Sequence, residues 1–282
     1  MTGDGRVTFT VTQRQRLREL GALPAETETA FTDAASRDLL FKELERRLTT
    51  DGRRRLNALR EGLRVPALCA LADSLRAAVT GAGFVEVVTP HIISADALQK
   101  MGIPSDDPLA EQIFWLDGSR CLRPMLAPNL YTLLRRLGRV WSRPFGIFEV
   151  GTCFRRDTHG SQHLNEFTML NAVELGLPME ERLLRLGQLA ALVMDATGIE
   201  HYDLETVKSG VYGDTLDVVV DGVEVCSTAM GPHPLDDAWG ITESWVGLGF
   251  GLERLLLARD AHQNIERVAR SLSYLDGVRL HL

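Results

Sequence analysis

FEVGTCFRRDTHGSQHLNEFTMLN, running from Phe148 to Asn171, is the stretch whose reading decides the fold. Two alternating runs, IFEVGTCFR and NEFTMLNAVEL, flank a polar turn centred on His159-Gly160-Ser161, which predicts an antiparallel hairpin with a long loop. Arg155, Asp157 and Phe167 fall near its base. An arginine and an aspartate leaving one strand, with a phenylalanine on the returning strand, form a layout suited to a nucleoside triphosphate. The guanidinium meets phosphate, the carboxylate meets the base amine, and the ring lies against the base. Taken alone, Arg155 and Arg156 read equally as a solvated basic pair and Phe167 as ordinary core.

About a hundred residues downstream, GLGFGLERLLLAR, Gly247 to Arg259, reads as a glycine-rich strand entering a helix whose first turn carries Glu253 and Arg254. Glycines allow close approach of a ligand to the backbone, and an arginine beside a helix N-terminus puts positive charge where phosphate would lie. By itself the pattern fits plain strand-to-helix packing as well.

The rest of the chain divides into short periodic segments. Thr10 to Ala22 reads as an amphipathic helix, with Val11, Leu17 and Leu20 at near-helical spacing and Gly21 ending it. Phe31 to Leu48 is a second helix, opened by Thr32 or Asp33 as N-cap. Asp51-Gly52 reads as a turn before a third helix, and a fourth, from Pro66, runs to Gly81–Gly83. IFWLDGSRCLRPML reads as two strands joined at Asp117-Gly118, with a helix starting at Pro128. ERLLRLGQLAALVMDATG is helical, and strands near Val211–Val218 and Val223–Ala229 join at an Asp221-Gly222 hairpin turn. Helices flanking hairpin-linked strands predict an α+β fold on an antiparallel sheet.

With 282 residues and 45% hydrophobic content, the chain can bury a full core; it is expected to form a large domain over 65–282 and an N-terminal helical region over 1–64. No apolar run has transmembrane length, and MTGDGRVTFT lacks a signal-peptide core, so a soluble, cytoplasmic protein without a membrane partner is expected. Cys69, Cys121, Cys153 and Cys226 are widely separated and read as free thiols, with neither a disulfide framework nor a zinc site. The net charge is −7, unevenly spread: residues 1–64 carry 13 Lys/Arg against 10 Asp/Glu. Glu45 to Arg64 holds Arg46, Arg47, Arg53, Arg54, Arg55, Arg60 and Arg64. Such a run is a solvated helix face in isolation, and a phosphate-backbone contact beside a nucleic-acid enzyme.

The Phe148–Asn171 and Gly247–Arg259 segments resemble motifs 2 and 3 of class II aminoacyl-tRNA synthetases, and GFVEVVTPHII, Gly83 to Ile93, resembles motif 1 with its proline at Pro90. LRPMLAPNLY (Leu122 to Tyr131), EFTMLN, VYGDTLDV (Val211 to Val218) and GFGLERLL narrow the likeness to the catalytic domain of the pyrrolysyl-tRNA synthetases, over roughly residues 65–282. The resemblance implies the class II catalytic fold and ATP-dependent charging of tRNA(Pyl) with pyrrolysine or a related N6-acylated lysine. ATP and Mg2+ are its implied cofactors, and a motif 1 homodimer is implied.

Residue by residue, the resemblance implies Arg155 on the α-phosphate and Arg254 on the γ-phosphate side as catalytic groups. Asp157, Phe167 and Gly249 would complete the ATP site, and Glu224 and Ser227 would handle Mg2+ and phosphates. The amino-acid pocket would comprise Met125, Ala127, Leu130, Tyr131, Leu134, Met169, Val173 and Trp245 as apolar wall. Asn171 would hydrogen-bond the side-chain amide, and Tyr212 would close over the ring. From pattern alone the apolar members read as core and Glu224 as an edge-strand surface carboxylate. Val173 stands where a cysteine is familiar in the family, and Asp157 where Arg-x-Glu is common, one methylene shorter. The family's N-terminal tRNA-binding domain has no counterpart in this sequence; the expectation is a stand-alone short form, or that domain acting as a separate polypeptide. The alternatives are a class II synthetase for another large or aromatic amino acid, and a synthetase-like tRNA-binding paralogue that does not aminoacylate.

Overall fold

The computed structural model describes residues 7–156, 164–209, 213–260 and 264–282, which fall into two compact units. One comprises the N-terminal residues through Ala67 together with Glu266–Leu282, and the other Leu68–Ile265. The C-terminal tail thus belongs with the N-terminal region, whereas the sequence groups it with the larger domain.

In the first unit, helix α1 spans Val11–Leu20 and α2 spans Ala34–Arg60. Thr10 caps α1 by accepting from the Gln13 amide, and Gly21 ends it at φ 96°, a left-handed conformation in which a side chain would be strained. Leu17 and Leu20 are buried as their spacing predicts, but Val11, at the first turn, is exposed. Asp33 is the N-cap of α2, its carboxylate 2.8 Å from the Ser36 amide. The expected turn at Asp51-Gly52 is not there, since α2 continues through both residues. Gly52 is a packing residue: a β-carbon would sit 3.1 Å from Val278 and 3.2 Å from Leu282, so the glycine lets the tail lie against the helix. Phe9 and Phe31 meet edge to face, 4.9 Å between centroids, beside buried Leu17 and Leu44.

The second unit is built on a seven-stranded sheet. Its strands in chain order are β1 (Val85–Glu86), β2 (Phe145–Phe154), β3 (Glu166–Leu175), β4 (Asp203–Ser209), β5 (Gly213–Val220), β6 (Val223–Gly231) and β7 (Trp245–Gly251). Their spatial order is β1-β2-β3-β7-β6-β5-β4, antiparallel except for the β1–β2 pair. The β2–β3 pairing bears out the hairpin read from the sequence; residues 157–163 of its loop, Asp157 among them, and Tyr212 lie outside the described residues. Asp221 and Gly222, at φ 49° and 77°, make the tight turn between β5 and β6, a left-handed pair that suits the twist of a hairpin.

Helices α3 (Ala67–Gly81), α4 (Ala127–Leu137), α5 (Arg182–Thr197) and α6 (Leu252–Arg259) complete this unit. The two strands expected across Asp117-Gly118 are corrected. Ile113–Leu116 forms no strand of its own but an isolated bridge, Trp115 to Cys121, with the Leu116 amide donating to the Arg120 carbonyl and the Leu122 amide to the Phe114 carbonyl, while the strand Arg120–Leu122 pairs on its other side with Ile92–Ser94. The turn itself stands, because the Asp117 carboxylate accepts from the Ser119 and Arg120 amides at 2.8 Å each.

Beneath α4 lies a buried ion pair. Arg123 donates from Nη1 to Glu149 at 2.8 Å and to the Thr89 hydroxyl at 2.9 Å, and from Nε to the Thr152 carbonyl at 2.7 Å. The Thr89 hydroxyl donates to Glu149 at 2.6 Å and accepts from Asn129 of α4 at 2.8 Å. Two charges out of water need this many partners to be held there. The network ties the motif 1 segment, the motif 2 strand and the start of α4 into one frame. The four cysteines are free; Cys69 is exposed, and burial pushes the Cys153 thiol up to about 12 and Cys121 up to about 11. Among the described residues no helix is long and apolar enough to cross a membrane.

Candidate active site

Strand alternation decides which side chains meet. On β3, Phe167, Met169, Asn171 and Val173 share one face, while Thr168, Leu170 and Ala172 are buried on the other. Directly across β7, Asn171 pairs with Gly249 and Val173 with Gly247; across β6, Gly249 pairs with Ser227 and Gly247 with Ala229. The middle of this face therefore carries glycine, alanine and serine where bulky residues would fill the space. A β-carbon at Gly249 would lie 3.2 Å from Met169 Cε and 3.7 Å from Asn171, so the glycine is there for room, not for an unusual backbone angle.

The result is a cavity of about 440 Å3 over the sheet, roofed on one side by α4. Every described residue that the sequence assigned to ATP, Mg2+ or amino acid lines it. Met125, Ala127, Leu130, Tyr131, Leu134, Met169, Val173 and Trp245 form an apolar wall. Arg155, Phe167, Glu224, Ser227, Gly249 and Arg254 lie on the same surface, with Asn171 between the two groups on β3.

The apolar end is rigidly packed. Tyr131 stacks on Trp239 at 5.3 Å and 13°, and meets Trp245 edge-on at 5.4 Å. The Trp245 indole donates to Asp236 at 2.9 Å. Burial raises the Asp236 carboxyl above its ordinary pKa, opposed by the hydrogen bonds from Trp245 and the His233 amide. Gly231 faces Trp245 across the ladder, and a β-carbon there would overlap the indole. Asn171 donates from Nδ2 to the Leu248 carbonyl at 2.7 Å, which fixes the amide plane; its carbonyl oxygen has no partner among the described residues.

At the polar end, Arg155 leaves β2 with Nε donating to the Pro124 carbonyl at 2.9 Å and its guanidinium carbon 5.3 Å from the Phe167 ring centre. Arg254, in the first turn of α6, donates to the Glu224 carbonyl at 3.2 Å and stands 3.9 Å from its carboxylate. Glu224 reaches this face through a β-bulge. Glu224 and Ser227 are three apart, which in a regular strand puts them on opposite faces, but the register shift between Glu224 and Cys226 restores both to one side. Two hard oxygen donors on the cavity wall fit Mg2+, which takes few protein ligands and keeps the rest for phosphate and water. Among the described residues no three His, Cys, Asp or Glu side chains cluster as a metal site, so the fit is to this sparse kind.

Three further residues were not singled out from the sequence as site groups, or were noted without a role. Glu253 is buried and accepts from the Thr168 amide at 3.0 and 2.8 Å and from its hydroxyl at 2.9 Å, pinning α6 to β3. Asp217 lines the cavity opposite Ser227. Trp239 backs Tyr131. Nothing in local spacing distinguishes them from surface or core positions; only their cross-strand and cross-helix partners do.

A mostly antiparallel sheet with a motif 2 hairpin beside a motif 3 strand and helix, opening on one cavity, defines the class II aminoacyl-tRNA synthetase catalytic fold. Residues 65–226 match the phenylalanyl tRNA synthetase beta chain CLM domain. The chain is similar to the crystal structure of pyrrolysyl-tRNA synthetase from Desulfitobacterium hafniense, with 54% identity, TM-score 0.93, and coverage of 98% of this chain and 99% of that one. It is also similar to the structure of Desulfitobacterium hafniense PylSc, a pyrrolysyl tRNA synthetase, with 53% identity, TM-score 0.92 and 99% of each chain covered. The chain belongs to the pyrrolysyl-tRNA synthetase family and is an aminoacyl-tRNA ligase.

Proposed function

We propose that this chain charges tRNA(Pyl) with pyrrolysine or a related N6-acylated lysine through an aminoacyl-adenylate. The observation that carries the reading is the single cavity that joins an apolar, aromatic-walled end, one half-buried amide and a polar end bearing two arginines. The substrate carboxylate attacks the α-phosphorus of ATP and pyrophosphate leaves; a terminal ribose hydroxyl of the tRNA then takes the aminoacyl group from AMP. Positioning and charge neutralisation supply the catalysis, so no side-chain nucleophile is needed.

In this reading Arg155, held by the Pro124 carbonyl, meets the charge that develops on the α-phosphate, and Arg254 meets the γ-phosphate. Phe167 gives the adenine a flat apolar face, and Gly249 lets the nucleotide approach the sheet. Glu224 and Ser227 would hold Mg2+, which supplies charge neutralisation to the phosphates when bound. Asp157 and Tyr212 keep the roles the resemblance implies, beside adenine and over the substrate ring. Leu130, Leu134, Val173 and Trp245 bury the long side chain at about 25 cal/mol per Å2 of apolar area. Asn171, with its plane set by Leu248, offers an N–H and a carbonyl to the substrate's amide.

The match to a phenylalanyl synthetase domain spans residues 65–226, which hold the motif 1 and motif 2 segments but not motif 3, and a polar amide on an apolar wall is wasted on phenylalanine. Of the seven arginines between Glu45 and Arg64, Arg47, Arg54, Arg55 and Arg64 have protein partners. Among the described residues Arg46, Arg53 and Arg60 are exposed, unpaired and seven residues apart along α2, a stripe of positive charge suited to the tRNA phosphate backbone. A family-type N-terminal tRNA-binding protein acting in trans is compatible with this stripe. In the motif 1 segment Val85, Val88 and Ile92 are 46%, 92% and 50% exposed, which favours a twofold homodimer burying them. Light scattering at micromolar concentration should give the dimer mass; a monomer refutes that part. The cytoplasm, where translation consumes charged tRNA, is the compartment that goes with this reading.

The test of the activity is ATP–pyrophosphate exchange with a panel of lysine derivatives. Arg155→Ala and Arg254→Ala should each lower exchange by about 100-fold or more, roughly 3 kcal/mol, while far-UV spectra stay unchanged. A folded Arg155→Ala enzyme with near-normal exchange overturns the assignment.

A further inference from the structure

We propose that Asp217 is a positioning residue that turns the Ser227 hydroxyl so that its lone pairs, and not its hydrogen, face the cavity, where they await a divalent cation. The inference rests on the reading of Ser227 as a magnesium ligand. Asp217 and Ser227 are direct cross-strand partners on β5 and β6, so their side chains leave the sheet on the same face. Ser227 Oγ donates to Asp217 Oδ1 at 2.8 Å, and the Thr215 hydroxyl lies 3.1 Å from the same oxygen, its one hydrogen shared with the Val207 carbonyl at 3.3 Å. Asp217 is only 5% exposed, although it lines the cavity.

A serine hydroxyl has one hydrogen and two lone pairs on a free rotor. Next to phosphates, the rotor would aim its hydrogen at a phosphate oxygen and compete with the metal for it. A carboxylate behind it only accepts, so it takes the hydrogen and leaves the lone pairs pointing the other way. Thr215, two residues before Asp217 on the same face, supports the carboxylate with its shared hydrogen. A carboxylate orienting a ligand from behind commonly changes metal affinity by about 10–100-fold.

The experiment measures Mn2+ binding to the full chain by electron paramagnetic resonance, with a non-hydrolysable ATP analogue present. The proteins are wild type, Asp217→Ala, Ser227→Ala, the double variant and Asp217→Asn. Asp217→Ala should weaken Mn2+ by about 10-fold or more, and the double variant should bind no more weakly than Ser227→Ala alone. Asp217→Asn keeps an acceptor oxygen in the same place and should stay within about threefold of wild type. The proposal is overturned if Asp217→Ala binds as wild type, or if its loss persists undiminished in the Ser227→Ala background, which would make Asp217 a ligand or a bare charge. If Ser227→Ala itself leaves Mn2+ binding unchanged, the assignment of Ser227 as a ligand fails, and the proposal with it. Should Asp217→Ala not fold, Asp217→Asn decides alone: a loss of about 10-fold refutes the acceptor role.

Discussion

Asn171→Ala should convert the cavity from one that selects an amide-bearing lysine side chain to one that admits flat aromatic amino acids. Asn171 stands on β3 between Met169 and Val173 on the same face, facing Gly249 across the ladder. Its Nδ2 is anchored 2.7 Å from the Leu248 carbonyl, so the amide cannot turn away when the substrate lacks a partner for it. A substrate carbonyl gains a hydrogen bond there, while a hydrocarbon ring leaves the amide unsatisfied at a cost of about 1–3 kcal/mol, or roughly 5- to 150-fold in kcat/KM. Alanine removes both effects, because the side chains that flank it on the same face of the strand, Met169 and Val173, are apolar. The assay is kcat/KM for a lysine carbamate and for a substituted phenylalanine, measured on wild type and variant by adenylate formation. The carbamate-to-phenylalanine ratio should fall by a factor within that range. A ratio that does not move refutes the amide as the selecting group and leaves only the general class II chemistry standing.

Gly231→Ala should lower the melting temperature and weaken amino-acid binding together, since its β-carbon would overlap the Trp245 indole and break the Trp245–Asp236 bond, an overpacking cost of about 1–3 kcal/mol. A thermal melt matching wild type would refute the packing argument. Asp236→Asn should remove a pH dependence of stability. Burial raises the Asp236 pKa, so the folded state holds its proton more tightly than the unfolded chain does, and stability falls as pH rises from the ordinary aspartate range through the raised value. Melts of the two proteins across that window should converge at its acid end and diverge above it, with the asparagine variant the more stable; parallel curves would refute the assignment.

Much of the architecture is written in local pattern. The alternation in Phe145–Phe154 and Glu166–Leu175 sets a hairpin whatever surrounds it, Asp221-Gly222 demands its turn, and Thr10 and Gly21 bound α1, because these signals act between residues a few positions apart. The same period of two groups Phe167, Met169, Asn171 and Val173 on one face before any partner is known. Where the local signal competed with distant packing, it lost. Gly52 reads as a turn but serves the contact with Val278 and Leu282, and Arg120–Leu122 takes Ile92–Ser94 as its strand partner while keeping only a bridge to its adjacent run. The row Asn171, Gly249, Ser227, Asp217 exists only through the register of four strands, and the bulge that swings Glu224 beside Ser227 is invisible as a pattern of residues. The chain determined by itself most of its helices and strands and, along a regular strand, which side chains share a face, since both follow from backbone geometry over a turn or a pleat. The tertiary structure alone decided which faces meet and in what register, because that depends on packing among residues far apart in the chain, whose contacts no short-range spacing encodes.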